Sequence, residues 1–111
     1  MAERGRGTII FTGATASLRG GADFASFAGA KHALRALAQS MARELGPAGI
    51  HVDGMIDSEA VRAKFPAEAD ALPAGGMLDP DHIADAYWAM HAQPRDAWTF
   101  EMDIRPSVER W

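Results

Sequence analysis

Residues 24–52 read FASFAGAKHALRALAQSMARELGPAGIHV, and the fold turns on them. Phe27, Leu34, Met41 and Leu45 recur at near-heptad spacing, with Ala30, Leu37 and Ala38 filling the same side. That is the period of an amphipathic helix from Phe24 to Leu45. On this reading Phe27 is a core residue. Ala25, Ala28, Gly29, Ala30 and Ala33 make the first half of the helix thin, so another backbone can approach it closely. Gly46-Pro47 supplies a C′ glycine and then a stop. Ile50-His51-Val52 begins a strand.

Upstream, Gly7-Thr8-Ile9-Ile10-Phe11-Thr12-Gly13 is an apolar run between glycines. It reads as a strand buried on both faces, the kind found inside a parallel sheet. The small, polar ATASLRGGAD (residues 14–23) reads as a loop. Downstream, Asp53-Gly54 has two readings. Between His51-Val52 and Met55-Ile56 it is a hairpin signal, and equally a loop at the end of a parallel strand. Ser58 is placed to cap a short helix running to Phe65, which Pro66 ends. Residues 66–78 have loop composition. Asp79 and Pro80 form an N-cap and N1 pair that opens a helix through Ala92, with Ile83, Tyr87 and Met90 inward. Gln93-Pro94 closes it. Trp98, Phe100, Met102 and Ile104 alternate with Thr99, Glu101 and Asp103, the period of a strand with one apolar face. Arg105-Pro106 ends that strand. Strands separated by helices predict an α/β fold: about three mainly parallel strands with flanking helices, in one domain spanning 1–111.

Composition narrows the function. Of 111 residues, 48% are hydrophobic, which fits a chain with a packed core. The net charge of −4 argues against a broad nucleic-acid surface. The absence of cysteine excludes disulfides, thiolate catalysis and Cys-ligated metals. No apolar run approaches the ~18 residues of a membrane span, so a soluble cytoplasmic protein is expected. His32, His51, His82 and His91 have no metal-ligand spacing, and surface or packing roles are expected for them. Asp79 and Asp81 read as helix-start residues. Neither Thr15 nor Ser17 has a paired base that would make it a nucleophile.

A strand ending in a small-residue turn, then Phe27-x-x-x-Lys31 on a helix carrying ALRALAQSMARELGPAGIHV, resembles the C-terminal half of a short-chain dehydrogenase/reductase. The resemblance runs from Gly7 to Ser58 and more loosely to Arg105. It implies part of a Rossmann-like three-layer fold and NAD- or NADP-dependent oxidation or reduction at a carbonyl/alcohol carbon. In that family a Tyr exchanges the proton, a Lys four residues later lowers its pKa and holds the nicotinamide ribose, and a Ser thirteen residues before the Tyr orients the carbonyl. Lys31 matches the Lys, as a catalytic and cofactor-binding residue. Phe27 stands at the Tyr position and Ala14 at the Ser position. Residues 53–58 resemble the family's Pro-Gly-x-Ile-x-Thr segment, so Gly54, Ile56 and Ser58 match positions that meet the nicotinamide amide. Asp53 replaces the Pro, and the strand before it reads several residues short. TGATASLRGG (residues 12–21) has Ser17 and Arg19 where a Gly-rich pyrophosphate turn needs glycines. The chain alone is therefore expected to be inactive and to bind dinucleotide poorly. The resemblance also implies self-association through the Phe24–Leu45 helix. A non-catalytic interaction module is the alternative expectation.

Overall fold

The computed structural model describes residues 1–56, 67 and 70–108. Among these residues the strands and α-helices are β1 (Gly7–Gly13), α1 (Ala25–Leu45), β2 (Ile50–Ile56), α2 (Pro80–His91) and β3 (Glu101–Asp103). The strands form one sheet in the order β1-β2-β3, with both pairings parallel. Gly7 to Gly13 run in register with Ile50 to Ile56, and Gly54 to Ile56 with Glu101 to Asp103. The expected α/β architecture is what the chain adopts.

The sheet face of each side chain follows from the two-residue period of a strand. Phe11 and Gly13 meet Leu34, Arg35 and Ala38 of α1. Thr8 and Ile10 meet Ile83, Tyr87 and His91 of α2 on the opposite face. β2 lies between its neighbours, and every residue of it except Gly54 is buried. No residue of β1 is buried, because β2 covers only one of its edges. Ile50, Val52, Met55, Ile56, Ile83 and Met90 form the core with Ala28 and Ala38. Met55 and Met90 are fully buried, each stabilising by about 2 kcal/mol. The short helix expected from Ser58 to Phe65 lies outside the described residues.

α1 is the expected helix, and most of its expected inner side faces the sheet: Ala38 is buried and Leu34, Met41 and Leu45 are half-buried. Ala28 joins them, whereas Phe27 is 39% and Leu37 50% exposed. At about 100° per residue Phe27 shares the side of Leu34 but lies near the start of the helix, and Leu37 lies on its flank. Phe27 is therefore not core. The end of α1 differs too. Gly46 keeps helical angles (φ −54°, ψ −48°), and Pro47 sits early in a 3-10 turn over Gly46–Ala48. Proline fits that first turn, where no amide donor is needed. Gly49 makes the left-handed stop, with φ 83°. A Cβ there would lie 2.1 Å from the carbonyl oxygen of Gly5, so only glycine fits.

Asp53-Gly54 is neither a hairpin turn nor a strand-end loop. Both residues lie inside β2, which continues in parallel to Ile56. The last strand is shorter than its alternation predicts. Gln93 takes both groups of Thr99: its Oε1 accepts from the Thr99 backbone N–H and its Nε2 donates to Thr99 Oγ1, each at 2.6 Å. The ladder begins only beyond them. α2 forms as expected: Asp79 Oδ1 accepts from Asp81 N–H at 2.9 Å and Pro80 occupies the first turn. Its Ile83 and Met90 are buried and Tyr87 half-buried. Arg35 forms a two-pronged pair with Glu101 at 2.6 and 2.9 Å, linking α1 to β3. Among the described residues no helix is long and apolar enough to cross a membrane.

Candidate functional site

Parallel strands end together, and ligands of open α/β sheets bind beyond their carboxyl ends. Here that edge is made by Thr12-Gly13 of β1, Ile56 of β2 and Asp103 of β3. α1 runs past it and delivers Lys31, whose Nζ donates to the Thr12 carbonyl at 3.0 Å. Phe27 lies one turn earlier on α1, its ring centroid 5.8 Å from Nζ. A ring face at that distance attracts the ammonium. It has no proton to exchange.

The loop after β1 is held by its own side chains. Ser17 is 1% exposed, and its Oγ accepts from Ala14 N–H at 3.1 Å. A Cβ on Gly13 would come within 2.8 Å of that Oγ. The Ser17 hydroxyl thus closes the turn. Arg105 donates to Asp103 Oδ1 and to Thr15 Oγ1, both at 2.8 Å, and ties the end of β3 to the same loop. Sequence reasoning saw Arg105 only as a strand terminator. Its reach across to Thr15 has no local signal. Tyr87, from α2, bonds Thr12 Oγ1 at 2.5 Å.

The four residues matched by resemblance divide. Lys31 and Ile56 stand at the carboxyl edge. Ile56 is the last residue of β2, paired in register with Gly13, and its carbonyl accepts from Ile104 N–H at 3.0 Å. Gly54 lies two residues deeper in β2. Its N–H is shared between the Phe100 carbonyl at 3.0 Å and Asp53 Oδ1 at 2.6 Å. Ser58 lies outside the described residues.

Below this edge β2 carries an unexpected polar pair. His51 and Asp53 point to the same face and are 3% and 0% exposed. His51 stacks on Trp98, centroids 4.9 Å apart and planes 1° from parallel. Its Nε2 donates to the Thr99 carbonyl at 2.6 Å and stands 3.7 Å from Asp53 Oδ2. No hydrogen bond reaches His51 Nδ1 or Asp53 Oδ2. Burial pushes the Asp53 carboxyl up to about 6 from 3.8, against the Gly54 hydrogen bond and the nearby His51, and Glu101 adds to the rise. Burial of a charged form is what raises a carboxyl in this way. No group of three metal-ligating side chains occurs among the described residues.

Half a chemical site results: a positioned ammonium at the carboxyl edge of a parallel sheet, with a phenyl ring where a proton donor would stand. Known proteins place it. The short chain dehydrogenase family profile matches residues 1–69. A 3-oxoacyl-[acyl-carrier-protein] reductase from Vibrio cholerae is 32% identical over 106 residues, covering 88% of this chain and 43% of that protein. The crystal structure of a short-chain dehydrogenase from Rhodopseudomonas palustris is 50% identical, with a TM-score of 0.76 over 96% of this chain and 41% of that one. A metagenomic short-chain oxidoreductase in complex with NADP is 26% identical, with a TM-score of 0.74 over 97% of this chain and 43% of that one. The chain belongs to the short-chain dehydrogenase family. It spans less than half the length of these relatives.

Proposed function

We propose that this chain carries the nicotinamide-facing part of an NAD- or NADP-dependent oxidoreductase site for a carbonyl/alcohol pair, in a cytoplasmic protein, and that alone it is catalytically silent. The single observation that carries this is Lys31 at the carboxyl edge beside Phe27 in place of a phenol. A dinucleotide, when bound, would supply or accept the hydride. Lys31 would hold its ribose hydroxyls and the backbone at Ile56 its carboxamide, with Ser58 matched to the same role by resemblance. Gly54 acts from within the strand, shaping the segment that leads there. Lys31 and Ile56 at the carboxyl edge support the nicotinamide end of this reading. The described residues do not cradle a pyrophosphate: the loop into α1 is closed by Ser17 and Arg105. Losing a positioned acid typically costs ~10²–10⁴-fold in rate, and Ala14 removes the orienting hydroxyl as well.

Nicotinamide mononucleotide, which lacks the adenosine half, tests the assignment. At ~10 mM, an order above the millimolar range of a weak site, it is expected to shift the amide resonances of Gly13, Lys31 and Ile56, and to lose this effect in Lys31→Ala. Shifts confined to other residues would reject it.

A second reading, a self-association module, is favoured by the outer side of α1. Leu37 is 50% exposed there, in one stripe with the small Ala30 and Ala33. Such a face suits close helix packing against a second copy. Light scattering on the wild type and on Leu37→Glu decides whether it does.

A further inference from the structure

Residues 98–100, which lead into β3, are held to β2 by two hydrogens and a ring. Trp98 stacks on His51, with planes 1° from parallel. The Thr99 carbonyl accepts from His51 Nε2 at 2.6 Å. The Phe100 carbonyl accepts from Gly54 N–H at 3.0 Å, where the β2–β3 pairing begins. Both donors are shared with one carboxyl. Gly54 N–H also reaches Asp53 Oδ1 at 2.6 Å, and His51 Nε2 stands 3.7 Å from Asp53 Oδ2. Asp53 is fully buried, and its Oδ2 has no hydrogen bond of its own.

The charge of Asp53 decides where those two hydrogens go. Hydrogen bonds to an ionised acceptor are roughly twice as strong as neutral ones. A buried charge without partners is also far costlier than a buried neutral group. Bringing His51 Nε2 from 3.7 Å to hydrogen-bond distance of Oδ2 takes a shift of about 1 Å. That shift withdraws it from the Thr99 carbonyl. Burial holds the Asp53 carboxyl up at about 6, so the change falls close to neutral pH. The other contacts of the segment have no such competitor. Ile104 N–H donates to the Ile56 carbonyl at 3.0 Å, and Arg105 ties Asp103 to Thr15. Gln93 keeps its two bonds to Thr99.

We propose that Asp53 is a pH-operated latch on β3. With its carboxyl neutral, His51 and Gly54 hold residues 98–100 against β2. When it ionises, both donors turn to it, and the lead into β3 frays while the Arg105 end stays attached. The other charged and titratable groups around the pair have partners of their own. Glu101 of β3 pairs with Arg35 of α1. His91 of α2 bonds Thr8, the register partner of His51. Arg95, in the loop before Trp98, reaches the Pro47 carbonyl at 3.3 Å. The latch involves no dinucleotide and stands apart from the nicotinamide-side reading.

Amide hydrogen exchange, resolved by residue and corrected for the intrinsic effect of pH, tests it from about pH 5 to about pH 8. Protection at residues 100–102 should fall by at least ~tenfold as two hydrogen bonds are lost. The fall should centre near 6 and exceed that at residues 34–38 of α1. The indole resonance of Trp98 should shift with the same midpoint. Circular dichroism first establishes that each variant keeps the helical content of the wild type. Asp53→Asn should hold both signals at their acid values throughout, although His51 remains. Glu101→Gln and His91→Gln, which remove the neighbouring titrations, should keep the transition. A fall of equal size on α1 reports a general loss of stability and overturns the latch. So does a wild type whose protection at residues 100–102 ignores pH, a transition that survives Asp53→Asn, or one that either control abolishes.

Discussion

Asp53→Asn should stabilise this protein at neutral pH and above, and leave it unchanged in acid. Asp53 is fully buried in the central strand, with Oδ2 unbonded. Burial first, and Glu101 second, hold its carboxyl at about 6 in the folded chain against 3.8 unfolded. The folded state therefore keeps a proton between those values that the unfolded state releases. Stability is full below the unfolded value and falls as pH rises through about 6. A rise from 3.8 to about 6, at ~1.4 kcal/mol per pH unit, makes the ionised carboxylate cost about 3 kcal/mol above neutrality. Asparagine keeps the size and keeps Oδ1 as acceptor for Gly54 N–H. It removes the charge, though its own Nδ2 then needs an acceptor, so the expected gain at pH 8 is about 2–3 kcal/mol. In urea unfolding followed by tryptophan fluorescence this moves the midpoint up by about 1–2 M. At pH 4 the two curves should nearly coincide. A variant less stable than wild type at pH 8, or a gain of equal size at both pH values, refutes the reasoning.

Phe27→Tyr restores a phenol beside Lys31 but neither the hydroxyl lost at Ala14 nor a pyrophosphate turn; no NADPH-dependent reduction of aldehydes or ketones is expected in a coupled absorbance assay. Gly49→Ala forces a Cβ to 2.1 Å from the Gly5 carbonyl at φ 83°, and should cost at least ~2 kcal/mol, read as a lowered thermal midpoint. The wild type should scatter as a dimer or larger at tens of micromolar, the regime of a stable ~800 Å² patch per partner. Ala33→Glu and Leu37→Glu should return it to monomer, and a monomeric wild type rejects self-association through α1.

The fold was legible where chemistry is local. Asp79-Pro80 begins a helix whatever surrounds it, and the strand–helix alternation is enough for parallel pairing. The exposure of Phe27 and Leu37 on α1 was not. Periodicity groups them with Leu34, Ala38, Met41 and Leu45, but it does not record how wide the buried stripe is or how far along the helix the sheet reaches. Asp53 was hidden for a related reason. A carboxylate before a glycine reads as a turn unless one knows that strands flank it on both sides. β3 begins late because Gln93 captures Thr99, a side-chain contact that alternation does not record. At the site, Lys31 was found through resemblance to the family's Tyr-x-x-x-Lys motif, four residues after position 27. The Thr12 carbonyl that receives it and the Arg105 bridge to Thr15 join residues 19 and 90 positions apart, and only the fold reveals them.

The central claim is that this chain holds the nicotinamide side of a dehydrogenase site without a grip on the rest of the dinucleotide. Fluorescence titration of the purified chain with NADH and with NADPH tests it most directly. The account predicts no saturation below about 1 mM for either, equivalent to ~4 kcal/mol of binding. A dissociation constant in the micromolar range for either dinucleotide would contradict it.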